Sequence, residues 1–154
     1  LGGGFPGSVA LKHNTSPHRA IDSFTHILQH YERKLSKQFS HSCSVHIAPG
    51  RLLVEDAVDC ACKIMAIKTH HQGIDTAYLA TSTHHLPHAK WYRHPIRLLS
   101  SFSFDKARSY RLCGGSNLHH DIIRQSVKLP PLQTNDTIII ERVGAYHQSH
   151  ASSS

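Results

Sequence analysis

Near His70 the chain changes the step at which its apolar residues recur, and that change limits the folds open to it. Before it, Ile21, Phe24, Ile27, Leu28, Tyr31 and Leu35 recur at steps of three and four, the period of one helix face. Ser16-Pro17 offers an N-cap followed by proline at the first helical position, so a helix over 17–38 with one buried stripe is expected. Residues 44–47 read as a short strand that Pro49-Gly50 stops. Leu53, Ala57, Ala61 and Ile64 then share a helix face, although 62–68 alternates equally well as a strand. After His70 the runs are short and β-like, at 77–81, 96–104, 110–113, 122–129 and 137–143, with Pro, Gly, Asn and Asp between them. The expected organisation is a β-helix-β-helix part followed by an all-β part.

Composition removes several classes. The 154 residues are 39% hydrophobic and 18% charged, with a net charge of +7, which with periodic apolar runs argues against disorder. No apolar run approaches the ~20 residues that span a bilayer, and no signal peptide opens the chain. Lys and Arg are scattered rather than run together, so no nucleic-acid or membrane partner is expected. Cys43, Cys60, Cys62 and Cys113 are too few for a disulfide scaffold, and Cys60-x-Cys62 lacks metal-motif spacing, so they read as reduced thiols of a cytoplasmic protein. The sixteen histidines include His70-His71, His84-His85 and His119-His120. None falls in a zinc-binding spacing, so no metal is expected and they read as surface and loop residues. The sequence opens on Leu1 and closes on three serines, which suggests a piece of a longer protein.

Four separated features carry the chemistry. They are Gly2-Gly3-Gly4-Phe5-Pro6-Gly7, Pro49-Gly50-Arg51, Gly114-Gly115-Ser116-Asn117 with Asp121, and Gly144-Ala145-Tyr146. Glycine-rich turns let backbone N–H groups approach an anion closely, and arginine presents a planar fork of donors suited to phosphate. In this order, and with Leu129-Pro130-Pro131-Leu132 leading through Asn135-Asp136 to the tyrosine motif, they resemble the pyridoxal-phosphate-dependent decarboxylases of the alanine-racemase fold, which include ornithine/arginine and diaminopimelate decarboxylases.

The resemblance implies an α/β part plus an all-β part: residues 1–68 as the last βα units of a TIM barrel, and 69–154 as a C-terminal β-sandwich or barrel domain. It implies pyridoxal 5'-phosphate as cofactor, an amino acid as substrate and a homodimer as the assembly. By the same resemblance Gly2, Gly3, Gly4, Arg51 and Tyr146 would hold the cofactor phosphate. Asp75 would meet the distal amine of a basic substrate, and Asp121, which closes the family's cysteine motif, is the second substrate-binding candidate. Asn117 stands at that motif's catalytic cysteine.

The departures bear on activity. The family's glutamate before Pro-Gly-Arg is Ala48 here, its cysteine is Asn117 and the following acid is Leu118. An amide does no acid–base chemistry at neutral pH. The family's Schiff-base lysine lies on an early barrel strand, and no lysine of this chain sits in its motif, which implies that the chain alone is inactive. Two readings follow: a decarboxylase of amino-acid or polyamine metabolism, or a non-catalytic homologue that binds or regulates.

Overall fold

The computed structural model describes residues 7, 9, 17–39, 46–71, 73–100, 106–116 and 118–152. These form a six-stranded sheet of β1 (Cys60–Lys68), β2 (Asp75–Leu79), β3 (Ile96–Leu98), β4 (Arg108–Cys113), β5 (Ile122–Leu129) and β6 (Thr137–Ile140), in the order β3-β6-β1-β2-β4-β5. All neighbours are antiparallel except β2 and β4. The outermost strands, β3 and β5, touch each other, so the sheet is nearly closed. Closure removes exposed strand edges.

Period two explains the strands. In β4, Tyr110 and Leu112 are buried while Arg111 between them is exposed. In β1, Cys62 and Ile64 point inward, and a bulge between Ile64 and Ala66 shifts the alternation, so that Ile67 rather than Ala66 packs on the core. β6 buries Ile138, Ile139 and Ile140 in succession, as a strand flanked by β1 and β3 can. Leu79, Leu112, Leu129 and Ile64, all fully buried, complete the centre of the core.

Three expectations are corrected. The helix expected at 17–38 is α1 (Pro17–Phe39), but its stripe is not buried: Ile27 and Tyr31 are more than half exposed. The helix face of Leu53, Ala57, Ala61 and Ile64 dissolves into α2 (Gly50–Val54), a 3-10 turn (Glu55–Ala57) and β1. β1 is a strand because β2 and β6 pair with it on both sides. The last βα units of a TIM barrel are not formed among the described residues, since the strand that follows α1 and α2 joins antiparallel neighbours, whereas a barrel strand needs parallel ones.

Ile140 lies between Cys60 and Ile96 with no exposure. Ile140→Ala is expected to lower unfolding stability in urea by about 2–5 kcal/mol. Lys128→Ala, exposed on β5, should stay within about 0.5 kcal/mol of the parent.

Candidate functional site

Pro49-Gly50-Arg51 opens α2, and the short helix sets Arg51 one turn from Glu55. Both side chains are buried, and Arg51 Nη1 donates to Glu55 Oε1 at 2.9 Å. The second carboxylate oxygen accepts the backbone N–H of Val9 at 2.8 Å. Pairing and hydrogen bonding offset the desolvation that burying both charges costs. The guanidinium carbon lies 3.9 Å from the centre of the Tyr92 ring and 5.2 Å from that of Tyr146, within reach of both π faces. Its other nitrogens have no hydrogen-bond partner among the described residues.

Tyr146 is brought there by backbone bonds. Val143 N–H donates to Val58 O at 2.8 Å and Gly144 N–H to Glu55 O at 3.0 Å. A side chain at 144 would run into the Val54 carbonyl, so glycine is what permits this approach. Tyr146 then takes a left-handed backbone, φ 64°, which is costly for a non-glycine residue. Its hydroxyl sits over Gly50, where an added Cβ would stand 2.6 Å away. Arg51 and Tyr146, picked from sequence, therefore converge. Gly2, Gly3, Gly4 and Asn117 lie outside the described residues.

Histidines complete this corner, and the expectation that they are surface and loop residues is overturned for two of them. His94 and His147 are each only 3% exposed. The Glu141 carbonyl can only accept, so His94 carries its proton on Nδ1 and donates there at 3.1 Å. Its Nε2 must then accept from Nε2–H of His147 at 3.1 Å, which leaves Nδ1 of His147 bare, buried and unpartnered. His88 Nε2 meets His150 Nδ1 at 2.9 Å, and the His150 ring stacks on Tyr146. Burial, then His94, His88 and Arg51, hold the His147 pKa down to about 3. Burial also lowers His94, and with Arg51 and His150 it lowers His88. Among the described residues, no group of three or more His, Cys, Asp or Glu is placed to hold a metal ion. No apolar period marks these histidines in sequence; only His147's place beside Tyr146 hinted at the cluster.

The two aspartates behave differently. Asp121 is buried and fully engaged: Oδ1 accepts Thr83 N–H at 2.7 Å, and Oδ2 accepts both N–H and hydroxyl of Ser116. Burial alone would raise its pKa, but the bonds from Ser116 and Thr83 outweigh that and lower it. It clamps the loop after β4 and borders a cavity of about 250 Å³ with Thr76, Tyr78, His119 and Arg111. Asp75 starts β2, half-buried, and accepts His70 N–H at 3.1 Å. Residues 81–94 link the two corners. Thr83 binds Asp121, His84 O accepts Ser152 N–H, His88 meets His150, and Tyr92 lies under Arg51.

The family model for the pyridoxal-dependent decarboxylase C-terminal sheet domain matches residues 21–144. This chain belongs to the pyridoxal-dependent decarboxylase family. Solved structures agree on the fold. The chain is 21% identical to diaminopimelate decarboxylase from Helicobacter pylori complexed with L-lysine, covering 98% of this chain and 35% of that one with a TM-score of 0.72. For lysine/ornithine decarboxylase from Vibrio vulnificus complexed with cadaverine the values are 20%, 99%, 39% and 0.74. For the arginine decarboxylase of Paramecium bursaria Chlorella virus bound to agmatine they are 18%, 99%, 39% and 0.73. No curated protein sequence matches the chain. It spans between a third and two fifths of those decarboxylases' length. No helix among the described residues is long and apolar enough to cross a membrane.

The decarboxylase cofactor bears a phosphate, and the Arg51–Tyr146 corner suits one. A buried guanidinium, with donors that bond no described residue, and a phenol hydroxyl face the same turn.

The neutral histidines give the fold a pH dependence. Unfolded, His147 takes a proton near pH 6.5; folded, it does so only near 3. The unfolded state therefore gains protons first as pH falls, and stability is lost between those values. His147 alone should cost about 1.3 kcal/mol at about pH 5.5 relative to neutral pH. Urea unfolding at the two pH values should show that loss, and His147→Gln should flatten it.

Proposed function

We propose that this chain is the C-terminal portion of a pyridoxal-phosphate-dependent amino-acid decarboxylase of the ornithine/diaminopimelate type, in which Arg51 and Tyr146 hold the cofactor phosphate. The observation that carries the reading is the convergence of buried Arg51 and strained Tyr146 over the Pro49-Gly50 turn. Arg51 supplies charge and directed donors, and its pairing with Glu55 fixes the guanidinium before any ligand arrives. Tyr146 adds a hydroxyl from a segment that Glu55 also holds. Bound there, pyridoxal phosphate would supply the electron sink that loss of an α-carboxylate requires. Gly2, Gly3 and Gly4 would contribute backbone donors to the same phosphate.

The substrate class follows from Asp75, a half-buried carboxylate at the start of β2 that suits a distal ammonium. Asp121 serves by holding the loop that carries Asn117. In this reading the protein is a cytoplasmic homodimer, and Asp75 and Asn117 face a partner subunit. The barrel lies on the side of α1, whose exposed Ile27 and Tyr31 it would cover. The sheet domain then begins ahead of Cys60, because β1 is one of its central strands.

A second reading is favoured by three residues. Ala48, Asn117 and Leu118 stand where the resemblance calls for two acids and a cysteine, so a non-catalytic homologue that binds cofactor or a partner protein is the alternative. One experiment separates them. The protein carrying its barrel portion is loaded with pyridoxal phosphate and assayed for amine product from lysine, ornithine, arginine and diaminopimelate. Turnover supports the enzyme, cofactor absorbance without turnover supports a cofactor-binding homologue, and no cofactor absorbance defeats both of these and leaves only a homologue that binds a partner protein.

Arg51→Lys and Tyr146→Phe should each weaken cofactor retention after dialysis by roughly tenfold, the worth of one charge-assisted hydrogen bond. Thermal unfolding of the same variants separates this from loss of fold. Ala48→Glu and Asn117→Cys should raise turnover, and the double variant is needed because neighbouring changes in one site need not add.

A further inference from the structure

The end of the 3-10 turn at Pro87–Lys90, the residues after it and the first part of β5 border an open cavity of about 650 Å³, within the size range of small-molecule sites. Its wall is cationic: Lys90, Arg93 and Arg124 line it, and no lining residue is acidic. None of these cations joins an ion pair formed among the described residues. Arg124 donates through Nη2 to His94 O at 2.8 Å, while its Nε is buried without a partner. Burial and the charge of Arg93 both lower the Arg124 pKa, the sign of cations gathered without a counter-ion. Aromatic surface stands beside them. Trp91, 62% exposed, and Tyr92 share the wall. The indole offers a π face on which a flat ring can stack.

We propose that this cavity binds an organic anion with a flat ring, of the size of a nucleoside monophosphate. The anionic group neutralises Lys90, Arg93 and Arg124, and the ring stacks on Trp91. The size of the space and the tryptophan favour such a ligand over a bare inorganic ion. The site is distinct from the Arg51–Tyr146 corner: neither residue lines it, and Tyr92 alone belongs to both. The inference therefore stands independently of the decarboxylase reading.

Trp91 is the chain's single tryptophan, so intrinsic fluorescence reports occupancy directly. The probes are AMP, adenosine and inorganic phosphate, titrated into the 154-residue chain. Pyridoxal phosphate is omitted because it would also read Arg51. AMP is expected to change the Trp91 emission saturably below about 1 mM, with adenosine and phosphate each at least about tenfold weaker. The response should weaken as salt is raised. Lys90→Ala combined with Arg93→Ala alters two exposed residues and should weaken AMP by about tenfold or more without moving the unfolding midpoint. No saturable response to AMP up to about 10 mM, an equal response to adenosine, or an unchanged response in the double variant would overturn the proposal.

Discussion

The carboxylate of Glu55 is the group on which the site depends. It is 1% exposed, and its two oxygens are engaged separately, one by Arg51 and the other by the N–H of Val9. Its backbone oxygen accepts from Gly144, so the same residue also docks the Gly-Ala-Tyr segment. Three stretches distant in sequence thus meet at one side chain and its carbonyl. A buried carboxylate is tolerable only when its lone pairs are met, and meeting them fixes the direction in which Arg51 points. The orientation of the guanidinium is consequently a property of the fold and does not wait for a ligand.

Tyr146 is held from the other side by histidines. The Glu141 carbonyl sets the His94 tautomer, which sets that of His147, so the proton positions along this chain are determined by one acceptor that cannot change its role. Because both rings are buried, the arrangement requires them neutral. Residues 81–94 carry most of the partners, from Thr83 at Asp121 to Tyr92 at Arg51. A connection between strands therefore frames both corners of the candidate site.

Much of the sheet was legible because burial on one face leaves a period-two trace: Tyr110 and Leu112 in β4, Ile123 in β5, and the isoleucines of β6. The segment 62–68 was ambiguous because Ile64 fits a three-step with Ala61 and also an alternation with Ala66 and Lys68, and only its pairing with β2 and β6 decides. The α1 helix was legible but not its surroundings, since an amphipathic stripe states that it has a partner and not where the partner is. Of the site, Arg51 and Tyr146 could be found because each belongs to a motif with its own glycine. The histidines could not: a buried neutral imidazole and a solvated one leave the same letter, and what distinguishes His94 and His147 is the acceptor geometry that tertiary structure supplies.

That distinction bears on how the altered motifs are weighed. Arg51 is buried against Glu55, and Tyr146 is fixed by Gly144 and covered on one face by His150. Both have work in the fold itself, so their presence alone does not argue for turnover. Ala48 is exposed, and Leu118 is 44% exposed. A glutamate at the first or an acid at the second would need no rearrangement of the core, so stability imposes no choice at either position. Chemistry is the constraint left to act on them, and acids there would matter only to a reaction. The retained corner is therefore what either a binding homologue or an enzyme would keep. Ala48 and Leu118, two of the residues that divide the readings, are ones the fold leaves free.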